Sequence, residues 1–350
     1  MKNSILLMVL LSVGPSVAAD RFDFVFSWGR VKDEESARAF AEIGVTDIIA
    51  SGEKGYVAAK KYGLRAYCGF GPCGLHDQVV TPEEKKHLDY LNVADLRKKL
   101  PRDEFKRVRD ERRKAARCQF GGEPVTSPDL CPELIVCFLS DTNCVKSKAR
   151  LEKTLAANPL AEGVVFDYIG YSNLHSCECA DCQTRRTAYL KENALDDTES
   201  NRNKFFRKSL VGYINSLADH ARGLRPGIKV SIHLYPAFVP DPLYGKDLRA
   251  DYIQQTVAWY FPWPKDKIAD YTRRILADRC SEGCQNVPFV GLNATEGQAL
   301  GYKSPARLEE ELKLILASGA RSLGVCNGAD MLKSGYREVF MKYTRGPTAP

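Results

Sequence analysis

The stretch GVVFDYI, residues 163–169, places four apolar residues directly before an acid, a tyrosine and an isoleucine. A short continuous apolar run is typical of a strand that is buried on both faces, as in a parallel sheet. Seven other runs along the chain are similar in length and composition: residues 22–28, 45–50, 64–70, 229–235, 255–261, 287–293 and 321–327. The sequence therefore predicts eight strands.

The segments between these runs have the pattern of amphipathic helices, at residues 33–43, 53–62, 144–157, 181–224, 266–279 and 304–318. Strands that alternate with helices predict a parallel α/β fold. Eight such units predict a (β/α)8 TIM barrel, which we expect as a single domain over residues 20–345. Residues 71–143, after the third strand, are too long for a plain connection and predict an insertion with its own helices.

The first 19 residues have the features of a secretory signal peptide. Lys2 precedes a short apolar run, and residues 17–19 are the small residues Val-Ala-Ala. We expect cleavage before Asp20 and a secreted or periplasmic protein; an uncleaved anchor is the alternative. No later segment has about 18 uninterrupted apolar residues, so we expect no membrane contact after cleavage.

The positive charge of the chain is concentrated in one segment. The formal net charge is +7, and residues 97–117 alone hold eleven Lys and Arg against four Asp and Glu. The remainder is close to neutral, which argues against a nucleic-acid-binding protein. The basic segment is either a solvated helix with intrahelical ion pairs, such as Asp103 with Arg107, or a surface for an anionic ligand such as an acidic or sulfated glycan.

The residues at the predicted strand ends are rich in aromatic and acidic side chains. In TIM barrels the catalytic groups lie at the C-terminal ends of the strands. Aromatic rings can stack on sugar rings, and paired carboxylates cleave glycosidic bonds. The candidate sugar-binding residues at these ends are Trp28, Tyr168, His233, Tyr235, Trp259, Tyr260 and Asn327. The sequence therefore favours a hydrolase that acts on a polysaccharide or oligosaccharide.

Asp167 and Glu296 are the favoured catalytic carboxylates. Asp167 follows the fourth predicted strand directly, and Glu296 lies a few residues beyond the seventh. Each has a structural alternative: Asp167 could anchor a neighbouring loop, and Glu296 could be a solvated loop acid. Asp241 and Asp330, after the fifth and eighth strands, are held in reserve.

The aromatic and histidine candidates also have alternatives. His233 could form hydrogen bonds inside the barrel instead of binding substrate. Trp259 and Tyr260 could pack against their own loop instead of a sugar.

Three cysteines follow Asp167 at a spacing that suits a metal. Cys177, Cys179 and Cys182 form the pattern Cys-x-Cys-x-x-Cys. With Cys137 as a fourth thiolate they could bind a structural Zn2+ tetrahedrally; Cys131 and Cys144 are rival fourth ligands. Disulfides are the alternative in an exported protein, and they are also plausible for the remaining cysteines, among them Cys68, Cys73, Cys118, Cys280 and Cys284.

The region of residues 131–182 resembles family 42 of the glycoside hydrolases. The shared features are a strand that ends in an acid, a loop of about ten residues, the Cys-x-Cys-x-x-Cys pattern and an upstream cysteine. Family 42 enzymes are β-galactosidase-type TIM barrels in which such a cluster holds a structural zinc. The segment GVVFDYIGY also resembles a strand motif of bacterial glycoside-hydrolase-like barrels.

The fourth strand departs from the family 42 pattern in one respect. Family 42 enzymes carry Asn-Glu at its end, where this chain has Phe166 and Asp167. Asp167 thus matches the family in position but not in residue type. An aspartate at this place is also similar to α-galactosidase-like barrels, where it is the nucleophile.

We therefore expect a secreted glycoside hydrolase with a structural zinc. A barrel that binds glycans without cleaving them is the alternative, because the Asn-Glu pair is missing. A thiol redox protein is a third possibility, and it would require exposed, reactive thiols. No Gly-rich phosphate loop, nucleophile elbow or His-Glu-x-x-His motif is present, which argues against those chemistries.

Overall fold

The computed structural model describes residues 21–72, 96–115, 139–167, 180–234, 247–260, 263–278, 282–296 and 302–344. In this part of the chain, eight parallel strands form a closed barrel in sequential order. The strands are β1 (Phe24–Val31), β2 (Asp47–Ala50), β3 (Arg65–Phe70), β4 (Gly163–Phe166), β5 (Lys229–Leu234), β6 (Tyr252–Ala258), β7 (Gln285–Gly291) and β8 (Ser322–Cys326).

Helices surround this barrel. They are α1 (Glu34–Glu42), α2 (Gly52–Lys61), α3 (Leu96–Lys99), α4 (Arg102–Ala115), α5 (Asp141–Ala157), α6 (Ala180–Glu192), α7 (Glu199–Leu224), α8 (Lys265–Ala277), α9 (Pro305–Ala317) and α10 (Tyr336–Tyr343), with a 3-10 helix at Gly328–Leu332. No helix among the described residues is long and apolar enough to cross a membrane.

The predicted (β/α)8 TIM barrel is confirmed. All eight predicted strands are present, and the largest displacement is in β6, which was predicted at 255–261 and lies at Tyr252–Ala258. The predicted helix at 181–224 is two helices, because the chain turns between α6 and α7, where Ala194 has a positive φ of 50° and Thr198 caps α7. The predicted insertion falls largely outside the described residues and stays a prediction.

The basic segment is helical where the structure describes it. Helix α4 covers most of it, and the side chain of Arg107 forms an ion pair with Glu111 at 3.5 Å. Both side chains are more than half exposed, as expected for a solvated helix. An anionic ligand for this segment remains a prediction.

Large side chains fill the barrel interior, and glycines on neighbouring strands make room for them. A Cβ atom at Gly163 would lie 2.1 Å from the ring of Tyr67, and one at Gly324 would lie 2.4 Å from the ring of Phe289. The interior is therefore packed by rings that cross from one strand over a glycine of the next. It is a solid core, as expected for this fold.

A polar network closes the N-terminal end of the barrel. The carboxylate of Asp47, which is 1% exposed, accepts hydrogen bonds from Arg65 at 3.1 Å and from the hydroxyl of Tyr67 at 2.8 Å. Arg65 also donates to the hydroxyl of Tyr252 at 2.7 Å. These residues lie on three strands, β2, β3 and β6, and they meet because all three strands begin at this end of the barrel.

Candidate functional site

Asp167 lies at the C-terminal end of the barrel, immediately after β4. Its backbone N–H donates to the carbonyl of Phe70 at 2.9 Å, which continues the pairing of β4 with β3 by one residue. Its side chain is 17% exposed and lines a cleft of about 530 Å3. The sequence prediction that this acid faces the barrel mouth agrees with this position.

His233 supports the Asp167 side chain from β5. The imidazole is 1% exposed, and its Nδ1 lies 3.2 Å from Oδ1 of Asp167. On the other side, Nε2 lies 3.4 Å from the hydroxyl of Thr256, which donates to the carbonyl of Leu234 at 3.2 Å. The histidine therefore contacts a carboxylate through one ring nitrogen and a hydroxyl through the other, and it forms a carboxylate–imidazole pair with Asp167. Such a pair is suited to proton transfer.

Aromatic rings hold the imidazole of His233 in place. The ring of Phe289 lies 4.1 Å away and the ring of Trp28 lies 5.0 Å away at an edge-on angle. The indole N–H of Trp28 donates to Gln254 at 2.9 Å, and Gln254 in turn donates to Ser231 at 2.7 Å. His233 therefore forms contacts of hydrogen-bonding distance inside the barrel, which was the alternative to substrate binding. One of its partners is Asp167, the favoured catalytic carboxylate.

This polar network was missed in the sequence, although a signal was available. Ser231 and His233 are two residues apart in β5, and Gln254 and Thr256 are two residues apart in β6. Alternate residues of a strand share one face, so four polar side chains at this period indicate a polar layer inside an otherwise apolar barrel. All four are buried.

The cleft extends from Asp167 toward β2 and β3. The ladder between these strands ends at the pair Ile49 and Tyr67, below the upper ends of both strands. Gly69, above that pair, is exposed, and a Cβ atom there would have no neighbour within 4 Å. The absent side chain therefore leaves open space in the wall of the cleft. Trp28, Arg30, Ser51 and Phe70 are among the other lining residues.

Cys326 and Tyr260 lie together at the C-terminal end of the barrel. The hydroxyl of Tyr260 lies 2.9 Å from the sulfur of Cys326. Burial, together with the negative charge of Asp167, raises the pKa of Cys326 to about 11. The thiol therefore stays protonated at neutral pH and is a poor nucleophile.

Trp259 is 1% exposed, and its ring packs on that of Tyr260 at a centroid distance of 4.5 Å. A Cβ atom at Gly291 would lie 2.8 Å from this indole, so the ring is tightly enclosed. In this structure Trp259 packs inside the protein, which was the alternative to sugar binding. Stacking of a sugar on Trp259 stays a prediction. Tyr260 is only half-buried.

Glu296 is exposed on the loop after β7. Its negative charge acts on Tyr336 of α10: burial is the main reason why the pKa of this phenol is raised, and the charges of Asp330 and Glu296 contribute. Glu296 thus lies on the α10 side of the mouth. The pairing of Glu296 with Asp167 stays a prediction.

Asp330 has a structural role. Its carboxylate accepts from the backbone N–H of Ala294 at 2.9 Å and from the side chain of Asn327 at 2.8 Å, and it pairs with Lys333 at 2.7 Å. It therefore ties the loop after β7 to the loop after β8. Asn327, a predicted sugar ligand, has a positive φ of 60° and is exposed at the mouth.

Several predicted residues lie outside the described part of the chain: Tyr168, Tyr235, Asp241, Cys137, Cys177 and Cys179. Cys182, the remaining predicted zinc ligand, is buried at the start of α6. Among the residues that the structure describes, no group of three or more His, Cys, Asp and Glu side chains could hold a metal ion. The zinc site therefore stays a prediction.

Cys68 and Cys144 are free thiols. Cys68, which the sequence placed among the cysteines able to form disulfides, is buried on β3, and burial raises its pKa to about 11. Cys144, a rival zinc ligand, lies 3.5 Å from the hydroxyl of Ser216. Neither Cys68 nor Cys326 is the low-pKa thiol that redox catalysis requires, which weakens the thiol redox interpretation.

No protein family profile matches this chain, and no curated protein does. Solved structures do match. The PgaB (BpsB) glycoside hydrolase domain from Bordetella bronchiseptica superimposes with a TM-score of 0.57 at 10% identity, covering 93% of this chain and 99% of that domain.

Two β-galactosidases are also similar. A catalytic mutant of Gan42B, a GH42 β-galactosidase from G. stearothermophilus, superimposes with a TM-score of 0.53 at 12% identity. The match covers 92% of this chain and 56% of that protein. The β-galactosidase from Halorubrum lacusprofundi superimposes with a TM-score of 0.52 at 11% identity. The match covers 91% of this chain and 57% of that protein. The chain thus spans a little over half the length of these β-galactosidases, and it shares the (β/α)8 fold of all three glycoside hydrolases.

Proposed function

We propose that this protein is a glycoside hydrolase and that Asp167 is one of its two catalytic carboxylates. One observation carries the proposal: at the C-terminal end of the barrel, a partly exposed carboxylate contacts a buried histidine at the wall of a cleft. TIM-barrel enzymes place their reacting groups at this end. The reaction class is supported by the glycoside hydrolases that share the fold.

In this proposal, Asp167 is the general acid and base. Asp167 gives a proton to the glycosidic oxygen as the bond to the anomeric carbon breaks, while His233 holds the carboxyl group in place. The leaving sugar then carries that proton as a hydroxyl. As that bond breaks, the second carboxylate forms a covalent bond to the anomeric carbon. A water molecule, deprotonated by Asp167, then displaces this carboxylate, so the anomeric carbon gains a hydroxyl and Asp167 regains its proton.

Glu296 is the second carboxylate of the proposal. Retaining glycosidases place their two carboxyl groups about 5–5.5 Å apart, and inverting ones about 6.5–9.5 Å apart. Glu296 is exposed on the loop after β7, at the C-terminal end of the barrel. Asp241 is the reserve for this role.

Trp28 is the best-supported sugar contact among the predicted ones. It lines the cleft and is partly exposed, and its hydrogen bond to Gln254 fixes the ring. A fixed ring loses little entropy when a sugar stacks on it. Tyr168, Tyr235, Tyr260 and Asn327 are further proposed contacts at neighbouring strand ends.

A glycan-binding barrel without catalytic activity is the second candidate. It is favoured by the exposed position of Glu296 on the loop after β7. Such a protein would hold a sugar against Trp28 and Asp167 and release it unchanged.

We further propose that the protein is secreted and that Cys137, Cys177, Cys179 and Cys182 hold a structural Zn2+. Four thiolates suit zinc, and the buried Cys182 lies at the end of the loop that begins at Asp167. The metal would fix that loop and would take no part in the reaction. Metal analysis of the purified protein should give one zinc per chain, and Cys182→Ser should lose it.

The test is reducing-sugar release from a panel of neutral and acidic polysaccharides. Asp167→Asn should lose the activity, whereas Asp270→Asn, the same change at an exposed position on α8, should keep it. Equal activity of Asp167→Asn and the unchanged protein would remove Asp167 from the mechanism. Retention on a polysaccharide without any release would favour the glycan-binding barrel.

A further inference from the structure

Arg30 lies at the mouth end of β1 and lines the same cleft as Asp167. It follows Phe24, Phe26 and Trp28 at a period of two, and these side chains lie on the interior face of the barrel. A bulge lies just before it: Ser27 pairs with Ile48 of β2, whereas Arg30 pairs with the next residue, Ile49. Bulges of this kind redirect a side chain and are common next to active sites.

The guanidinium of Arg30 has no counter-charge in the part of the chain that the structure describes. It forms no hydrogen bond, ion pair or ring contact there, and it is exposed. An arginine side chain carries a positive charge at neutral pH. A permanent positive charge thus faces the cleft at a distance from Asp167 that allows no ion pair between them.

Polar and aromatic groups accompany this charge. Ser51, which precedes α2, lines the cleft, and its side chain makes no capping hydrogen bond to that helix. Trp28 lies two residues before Arg30 and lines the cleft as well. Glu53, in the first turn of α2, is exposed and is not among the lining residues. The cleft therefore offers a cation, a hydroxyl and a ring to one ligand.

We propose that Arg30 binds the anionic group of an acidic sugar, either a carboxylate or a sulfate, next to the bond that is cleaved at Asp167. The inference rests on the proposed function, since it names the substrate class of the same site. A guanidinium forms paired hydrogen bonds with planar carboxylates and with sulfate-like oxyanions. Trp28 would stack on the same or the adjacent ring.

The experiment measures binding, so that it does not depend on turnover. The full chain with Asp167→Asn is compared with the same chain carrying in addition Arg30→Gln, Arg30→Lys or Arg273→Gln. Arg273 is an exposed arginine on α8 and controls for the loss of one charge. The probes are uronate-containing and sulfated polysaccharides, each paired with its own carboxyl-reduced or desulfated form, and affinity is read at low and high salt.

We expect at least one acidic polymer to bind about tenfold more tightly than its neutral form, because a charge-assisted hydrogen bond is lost in the latter. Arg30→Gln should abolish this difference, Arg30→Lys should keep part of it, and Arg273→Gln should keep all of it. If only uronate-containing polymers bind more tightly than their carboxyl-reduced forms, the bound group is a uronate. If only sulfated polymers bind more tightly than their desulfated forms, it is a sulfate ester.

Equal affinity for acidic and neutral forms, or a preference that survives Arg30→Gln, would overturn the inference. Either result would leave the proposed function standing if the unchanged protein cleaves neutral polymers. Absence of binding to every acidic polymer would also overturn it. The proposed function fails only when the unchanged protein cleaves none of the panel.

Discussion

The two ends of the barrel use the same residue type for opposite purposes. At the N-terminal end, Asp47 is buried and accepts hydrogen bonds from Arg65 and Tyr67. At the C-terminal end, Asp167 is 17% exposed and faces a cleft, with His233 beside it. A carboxylate whose oxygens are satisfied inside the protein stabilises the fold. A carboxylate that keeps a face toward solvent and contacts a histidine is available for chemistry.

The contrast extends to the space around each acid. Near Asp47 the interior is filled, since the ring of Tyr67 crosses over Gly163 without a gap. Near Asp167 the wall contains Gly69, whose missing side chain leaves open space. Glycine thus permits close packing at one level of the barrel and a cleft at another. The two ends can therefore be separated experimentally, with one set of changes acting on stability and the other on activity.

The largest expected effect is that of Asp167→Asn. We expect a loss of about 10²–10⁴-fold in the rate of glycan hydrolysis, the usual contribution of general acid–base catalysis. The thermal midpoint should stay within a few degrees, because the side chain is partly exposed and asparagine keeps its shape. The checks are initial rates and thermal unfolding of the same preparation. A large drop in the midpoint would mean that Asp167 is structural, like Asp47.

Asp47→Asn should have the reverse effect. Removing the charge weakens the hydrogen bonds from Arg65 and Tyr67 in a buried site, and we expect a loss of about 2 kcal/mol in the free energy of unfolding. The value is lower than for a fully buried ion pair because the side chain of Arg65 is 38% exposed. Denaturant unfolding measures this loss.

The hydrolysis rate of Asp47→Asn should be unchanged well below its unfolding temperature. A reduced rate at full folding would show that the two ends of the barrel are coupled, and the comparison between them would fail.

Gly69→Leu should reduce activity by narrowing the cleft. A Cβ atom at this position meets no neighbour within 4 Å, so the added side chain begins in open space at the wall of the cleft. We expect the Michaelis constant for the polymer substrate to rise about tenfold, the cost of losing one well-formed sugar contact. Gly69→Ala is the matched control and should have a smaller effect. Steady-state kinetics on both variants, with unchanged unfolding midpoints, would locate the substrate beside β3.

Much of the fold could be predicted from the sequence because buried parallel strands are continuous apolar runs. GVVF at 163–166 is such a run, and β4 occupies those four residues. The error in β6 has a physical reason: this strand carries Gln254, Gln255 and Thr256, so its apolar run is interrupted where the interior is polar. The prediction moved the strand toward the aromatic residues that follow it.

The candidate site was less predictable than the fold. The position of Asp167 could be inferred, because a strand end fixes where the next side chain lies. The partnership with His233 could not, since it depends on the register of β4 with β5, where Phe166 pairs with Ile232. Glu296 was selected from its distance to a strand end, but a loop of unknown shape does not fix the direction of its side chain.

The smallest expected effect is on stability, and it concerns the pH-dependent contribution of Asp251 at the N-terminal end of the barrel. Burial alone would raise the pKa of Asp251, which precedes β6, but hydrogen bonds from Lys229, from the N–H of Val230 and from Arg222 hold it below the usual 3.8. A carboxyl group with a lowered pKa in the folded state stabilises the protein above its unfolded pKa, and this contribution is lost as the pH falls through the folded pKa.

Asp251→Asn should therefore cost about 1 kcal/mol of unfolding free energy at pH 7, the typical net value of such partly exposed contacts. The difference between variant and unchanged protein should shrink as the pH is lowered below 4, because the unchanged protein then loses the same interaction. Denaturant unfolding between pH 3 and pH 7 measures it. A difference that stays constant over this range would mean that Asp251 contributes through its shape and not its charge, and that the electrostatic account of the N-terminal end rests on Asp47 alone.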